Sequence, residues 1–315
     1  MVKFLQDSSF IIYNSSLLTN TVSFKLGKYL ALSGMDYSGK SPEQIQDLFH
    51  QTLEGGTHGL CYSAYEEGQK PGDILTVEQI RRRMKIIAPY TKWVRSFSCI
   101  EGNELVPQVA REFGLKTLVG AWLGKDKDLN EQEIAGLIQL AKAGHVDIAA
   151  VGNEVLYRND LSEAELLAYI HRVKNAIPEV QTGYVDAYYE FSACPNITEA
   201  CDVILSNCYP FWEGCHLDYS LVYMKQMYQQ AMQAANGKKV IITETGWPSQ
   251  GKNFESAEPS AVNAMKYFIN TQQWAREEGI EVFYFSSFDE SWKVGAEGDV
   301  GAYWGIWDMH QNLKF

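Results

Sequence analysis

Two glutamates each close an apolar, strand-like run. Glu154 follows Asp147-Ile148-Ala149-Ala150-Val151-Gly152-Asn153, and Glu244 follows Lys239-Val240-Ile241-Ile242-Thr243. Neither run offers its carboxylate any local solvation, and a buried charge is costly unless it is paired or hydrogen-bonded. One explanation is a salt bridge to Arg95 or Lys293, which would make the acids purely structural. The other is chemistry. Cleavage of a glycosidic bond needs one protonated carboxylic acid to release the leaving oxygen. It also needs a second, ionised carboxylate to attack or support the anomeric carbon. Further polar and aromatic residues gather at the ends of other strand-like runs: Asp36-Tyr37, Asn207-Cys208-Tyr209-Pro210, Gly246-Trp247-Pro248 and Phe288-Asp289-Glu290.

The elements that must position these groups are legible from residue 29 onward. Strand-like runs are expected at 29–35, 93–97, 116–121, 147–153, 180–185, 203–207, 239–244 and 281–287, eight in all. Helical stretches separate them, with recognisable starts. Ser41-Pro42-Glu43-Gln44 offers a cap, a first-turn proline and a capping-box glutamine. Thr76 with Gln79 and Ser162 with Glu165 repeat the box, and Asn130 is a further candidate N-cap. Asn236-Gly237 reads as a helix end. Strands alternating with helices require parallel pairing, and eight such units close into a (β/α)8 TIM barrel. A doubly wound open sheet is the alternative, but no G-x-G-x-x-G follows the first strand. Residues 1–28 are expected to be a short N-terminal extension packed on the barrel, with 29–315 forming the catalytic domain. The run 58–63 competes for the place of first strand, but choosing it leaves the well-capped helix at Ser41 with no strand before it.

In such a barrel the functional side chains sit at the C-terminal ends of the strands. Glu154 and Glu244 end the expected fourth and seventh strands and so face each other across the mouth. If configuration is retained, their carboxyl groups should lie about 5–5.5 Å apart, too close for an intervening water. Proximity to an ionised Glu244 would then raise the pKa of Glu154 and keep it protonated.

Composition narrows the partners. The chain has 315 residues and a net charge of -12, from 39 acidic against 27 basic residues. That field repels nucleic acid and anionic membrane and leaves an uncharged ligand indifferent. Aromatic residues make up 13%, including 8 Trp and 18 Tyr, whose flat faces suit either sugar stacking or core filling. No run is long enough to span a membrane, and Met1 to Leu18 contains no apolar signal core. A cytoplasmic chain, or one whose leader has been removed, is expected. The six cysteines lack metal-type pairing and read as free thiols, although the local spacing of Cys194/Cys201 and Cys208/Cys215 and sequons at Asn14 and Asn196 leave a secreted form open. The histidines show no ligand spacing, so neither metal nor cofactor is expected.

Several motifs together resemble glycoside hydrolase family 17. Val151-Gly152-Asn153-Glu154 is similar to its acid/base motif, and Ile242-Thr243-Glu244-Thr245-Gly246-Trp247-Pro248-Ser249 to its nucleophile motif. Phe288-Asp289-Glu290-Ser291-Trp292-Lys293 resembles the segment after the eighth strand, and Asn207-Cys208-Tyr209-Pro210 the Asn-x-Tyr-Pro signature after the sixth. Gly34-Met35-Asp36-Tyr37 resembles the Gly-x-Asn-Tyr closing the first strand, with Asp36 in place of Asn, and Trp93-Val94-Arg95-Ser96-Phe97 is a looser match in the second. The resemblance implies Glu154 as acid/base, Glu244 as nucleophile, Asn153 on the sugar 2-hydroxyl, and Glu290 with Lys293 as a supporting charged pair. Tyr37, Tyr209 and Trp247 become candidates for sugar contact. The implied activity is retaining cleavage of β-1,3-glucan through a covalent glucosyl intermediate, which passes to another glucan or to water. A purely hydrolytic enzyme and a catalytically silent glucan-binding barrel are the alternatives. The connection after Tyr209-Pro210 is shorter than in the plant members, which implies a shorter cleft and leaves room for transfer.

Overall fold

The computed structural model describes residues 34–315. Eight parallel strands close into a barrel in chain order: β1 (Thr57–Cys61), β2 (Thr91–Ser96), β3 (Lys116–Ala121), β4 (Ile148–Asn153), β5 (Gln181–Ala187), β6 (Ile204–Asn207), β7 (Val240–Thr245) and β8 (Val282–Tyr284). Registers such as Cys61 opposite Arg95 and Asn207 opposite Glu244 bring the strand ends to one rim. The helices α1 (Pro42–Glu54), α2 (Val77–Ile87), α3 (Leu105–Glu112), α4 (Lys127–Lys142), α5 (Glu163–Ala176), α6 (Glu190–Ala193), α7 (Pro195–Ala200), α8 (Leu217–Ala234) and α9 (Ala261–Glu278) surround it, with α10 (Val294–Glu297) after β8. Fully buried apolar side chains from successive helices, Phe49, Ile80, Leu137, Ile170 and Met224 among them, fill the layer between helices and sheet. Burial of each such side chain stabilises by about 1.5–3 kcal/mol before ordering entropy is counted.

Seven expected strands coincide with observed ones to within a few residues, and the first requires correction. The barrel closes with Thr57–Cys61, which pairs with both β2 and β8. Residues 34 and 35 are not in a strand; the rest of the run 29–35, and the extension 1–28, lie outside the described residues. The helix at Ser41 forms as its cap signals require: Ser41 Oγ accepts from the Gln44 amide and Gln44 Oε1 accepts from the Ser41 amide. It does not follow β1, however. Among the described residues no long helix follows β8, and α1 fills that place, packing Phe49 against Phe268 of α9 with ring centroids 5.0 Å apart. Arg276 of α9 donates to the carbonyls of Thr52 and Gly56 at the turn into β1. The helix therefore precedes β1 as the barrel's closing helix. A second correction concerns Asn130. The N-cap of α4 is Asp126, while Asn130 exchanges hydrogen bonds with Gly124 at 2.8 and 2.7 Å. Ser162 makes the full capping box of α5 with Glu165, and only residues 211–216 connect Pro210 to α8.

Candidate active site

The strand ends open onto a cleft of about 1280 Å³. That exceeds the volume of a typical small-ligand pocket and suits an oligomeric substrate. Glu154 and Glu244 both line it, joined by one amide. Asn207, the last residue of β6, donates from Nδ2 to Glu154 Oε1 at 2.8 Å and to Glu244 Oε1 at 3.2 Å. The Thr243 hydroxyl donates to Asn207 Oδ1 at 2.9 Å, which turns the nitrogen of the amide toward the two acids. Because both oxygens touch the same nitrogen, they lie at most about 6 Å apart.

The two carboxylates have different surroundings. Glu244 is 7% exposed and faces three donors. Arg95 Nη1 stands 2.5 Å from Oε1, Asn207 Nδ2 approaches the same oxygen, and the Tyr209 hydroxyl donates to Oε2 at 2.9 Å. That is a setting for an anion. Glu154 receives the single Asn207 bond, and its pKa is pushed up to about 7. Burial is the main cause, with the negative charge of Glu244 second; the Asn207 bond and the Arg158 charge oppose them. The sequence-based expectation put the Glu244 charge first, whereas desolvation leads here. Glu154 also has φ 51, a left-handed conformation that is uncommon for a residue with a side chain. Gly152 at φ 86 makes the turn passable, and the Glu154 amide donates to Val185 O at 2.8 Å.

Arg95 is the group that sequence reasoning left outside the site. Its guanidinium, 2% exposed, donates to Glu244, to Thr243 O at 3.0 Å and to Asn153 Oδ1 at 2.7 Å. The salt bridge offered as the structural explanation for Glu244 is therefore present, and Glu244 lines the cleft as well. Asn207 was equally missed as a site residue, although it opens the Asn-x-Tyr-Pro run at a strand end, where functional groups are expected. Replacing Arg95 by Met leaves a buried carboxylate and a buried amide oxygen without their donor. The expected destabilisation is about 3–5 kcal/mol, measured by denaturant unfolding. A loss under about 1 kcal/mol would show that water substitutes for the guanidinium.

The remaining expected residues divide. Asn153, Tyr209, Glu290 and Lys293 line the cleft, and Lys293 Nζ pairs with Glu290 Oε2 at 2.8 Å. Trp247 does not. Gly246 passes under Phe285 O, where a Cβ would come within 2.0 Å, and the chain then turns Trp247 inward. Its indole is 1% exposed, packs edge-on to Phe211 and donates to Glu258 O at 2.9 Å. Tyr37 does not reach the cleft either. Its segment precedes α1 instead of ending a strand, and its hydroxyl donates to Asn270 Oδ1 at 3.0 Å on α9. The aromatic rim is supplied by residues not singled out from the sequence. Trp122, Tyr157 and Tyr189 are substantially exposed on the β3, β4 and β5 sides, and Tyr65 meets Trp292 edge-to-face across the β1 and β8 loops. Among the described residues, no group of three or more His, Cys, Asp or Glu is placed to hold a metal ion, and no helix is long and apolar enough to cross a membrane. All six cysteines are free thiols.

Comparison with known proteins agrees with this arrangement. The family model described as the BtgE/BtgC glycoside hydrolase domain matches residues 59–305. The chain is 29% identical over 269 residues to a glucan 1,3-beta-glucosidase of Saccharomyces cerevisiae, covering 78% of this chain and 86% of that one. It is 27% identical over 294 residues to the Schizosaccharomyces pombe protein of the same name, covering 87% and 91%. Among solved structures, a glycoside hydrolase family 17 beta-1,3-glucanosyltransferase from Rhizomucor miehei superposes with a TM-score of 0.74 at 30% identity, over 84% of this chain and 96% of that one.

Proposed function

From the premise that this chain belongs to the BtgE/BtgC glycoside hydrolases of family 17, we propose that it cleaves β-1,3-glucan with retention of configuration, Glu244 acting as nucleophile and Glu154 as acid/base. One observation carries the reading: the Asn207 amide holds both carboxylates, so that their Oε1 atoms lie no more than about 6 Å apart, which accommodates the roughly 5–5.5 Å spacing of a retaining pair. Their environments support this division of roles. Glu244, surrounded by donors, is suited to attack as an anion. Glu154, buried and beside that anion, is suited to deliver a proton and later to take one back. Asn153, oriented by Arg95 at the floor of the cleft, is placed for the sugar 2-hydroxyl. Glu290 and Lys293 neutralise each other at the edge of the same pocket.

Transfer of the glucosyl group to a second glucan is the finer part of the proposal. It depends on an acceptor competing with water for the intermediate. Trp122, Tyr157 and Tyr189 offer exposed rings on the Glu154 side, where the leaving glucan departs and an acceptor must enter. The similarity to the Rhizomucor miehei glucanosyltransferase supports the same reading. The test is to incubate the protein with β-1,3-gluco-oligosaccharides and follow product length and the anomeric configuration of the first product by NMR. The β-anomer with products longer than the substrate is expected. Only shorter products would leave a hydrolase, an α-anomer first would make the enzyme inverting, and no turnover would leave a glucan-binding barrel.

A further inference from the structure

The turn that carries Glu154 is held from behind by two side chains of β5. Tyr184 and Asp186 are two residues apart on the strand and therefore project to the same side. The Tyr184 hydroxyl accepts from the Leu156 amide at 2.9 Å and donates to Asp186 Oδ2. The Tyr157 amide also points at Asp186 Oδ2, at 3.5 Å, while Asp186 Oδ1 accepts from the Ala187 amide at 2.8 Å. On the other side of the turn, Arg158 donates to Asn153 O and to Leu123 O at 2.9 Å and pairs with Asp160 at 2.7 Å. The residues after Glu154 are thus fastened from two directions at the point where the backbone enters its left-handed conformation.

Asp186 is 0% exposed, and among the described residues no lysine, arginine or histidine pairs with it. A carboxylate buried without a cation is destabilising, so its retention here asks for a role. We infer that Asp186 and Tyr184 are positioning residues for the acid/base: they grip the backbone of the turn bearing Glu154 and set a second carboxylate behind that turn. This inference rests on the reading of Glu154 as acid/base. The charged and titratable groups that face Glu154 are Glu244 from β7, Asp186 from β5 and Arg158 from the turn itself. Asp186 in turn is faced by Tyr184, by Glu190 of α6 and by the nearby Tyr189. Burial raises Asp186 to about 6, so above that pH it is an anion, and a second anion beside Glu154 opposes loss of the Glu154 proton.

The experiment compares kcat/KM against pH for the wild type, Asp186→Asn, Tyr184→Phe and Glu154→Gln. Each is assayed on a β-1,3-gluco-oligosaccharide and on a dinitrophenyl β-glycoside, whose leaving group departs without a proton. For Asp186→Asn, the basic limb should move down by roughly 0.5–1 pH unit. Oligosaccharide turnover at pH 8.5 should then fall about 3–10-fold, with less than about a 2-fold change on the dinitrophenyl substrate. Tyr184→Phe releases the Leu156 amide and removes the hydroxyl that helps keep Asp186 ionised, so kcat should fall and the limb should move down no further than in Asp186→Asn. Equal losses on both substrates for Asp186→Asn, with an unmoved limb, would make the residue merely structural and overturn the inference. Should that variant fail to fold, Tyr184→Phe decides, and a wild-type kcat would overturn the clamp. Glu154→Gln is the reference. If it does not lose the oligosaccharide while sparing the dinitrophenyl substrate, the acid/base reading itself fails, and that failure is distinguishable from failure of the clamp alone.

Discussion

A Glu244→Gln enzyme is expected to lose turnover of β-1,3-gluco-oligosaccharides by at least roughly ten-thousand-fold while folding like the wild type. The amide is nearly isosteric and still offers an oxygen to Arg95 or Tyr209, but it cannot form the ester to the anomeric carbon that the proposed double displacement requires. Glu244→Ala separates chemistry from packing. It should abolish turnover as fully, and it should also cost about 3–5 kcal/mol, because Arg95 would remain buried without its anion. Steady-state kinetics with denaturant unfolding on the same samples distinguishes the two effects. A Gln variant retaining more than about one hundredth of wild-type activity would remove Glu244 from the nucleophile role.

Glu154 carries the second large effect. Since burial and Glu244 raise it to about 7, it is protonated below that pH and able to donate, and activity should fall as pH rises through about 7. Glu133 and Glu297 line the same cleft and are also pushed up to about 7 by burial, so a basic limb alone does not identify the donor. Replacement does. Glu154→Gln should lower kcat/KM on oligosaccharides by roughly 100- to 10,000-fold and remove the limb. The sign of the stability effect is opposite. A carboxyl group whose folded pKa exceeds its unfolded value loses stability as pH rises from the unfolded toward the folded value. The Gln variant should therefore melt higher than the wild type at pH 8, relative to the difference at pH 4. Unchanged activity with the limb still in place would transfer the acid role to another carboxylate.

Much of this site can be read from the chain because strands impose simple rules. A polar residue ending an apolar run of a parallel barrel must emerge at the rim, and that rule picks out Asn153, Glu154 and Glu244, and puts Asn207 at the rim without revealing that it joins the two acids. It fails where position depends on what happens after the strand. Trp247 follows Glu244 in an aromatic-rich motif and would be expected at the rim. The close passage of Gly246 beneath Phe285 O sends it into the core instead, a contact between residues far apart in sequence. The first strand is hard to place because residues 29–35 are more apolar than 57–61, and the cap at Ser41 is equally good whether its helix follows a strand or precedes one. Only closure of β1 onto β8 decides, and closure is a property of the whole barrel. Arg95 was visible in its strand, but its fork to Glu244 and Asn153 joins three strands and has no local signature.

The most direct measurement is to trap the intermediate. The protein is incubated with a β-1,3-linked disaccharide fluoride carrying fluorine at C2 of the reacting sugar, which slows both displacement steps but leaves departure of the anomeric fluoride fast enough for the glycosyl-enzyme to accumulate. Mass spectrometry of the intact chain, followed by peptide mapping, should show one added disaccharide, carried by the peptide spanning Val240–Thr245 with the ester on Glu244. A label on any other residue, or steady release of product with no labelled protein at any time point, would contradict a covalent intermediate on Glu244.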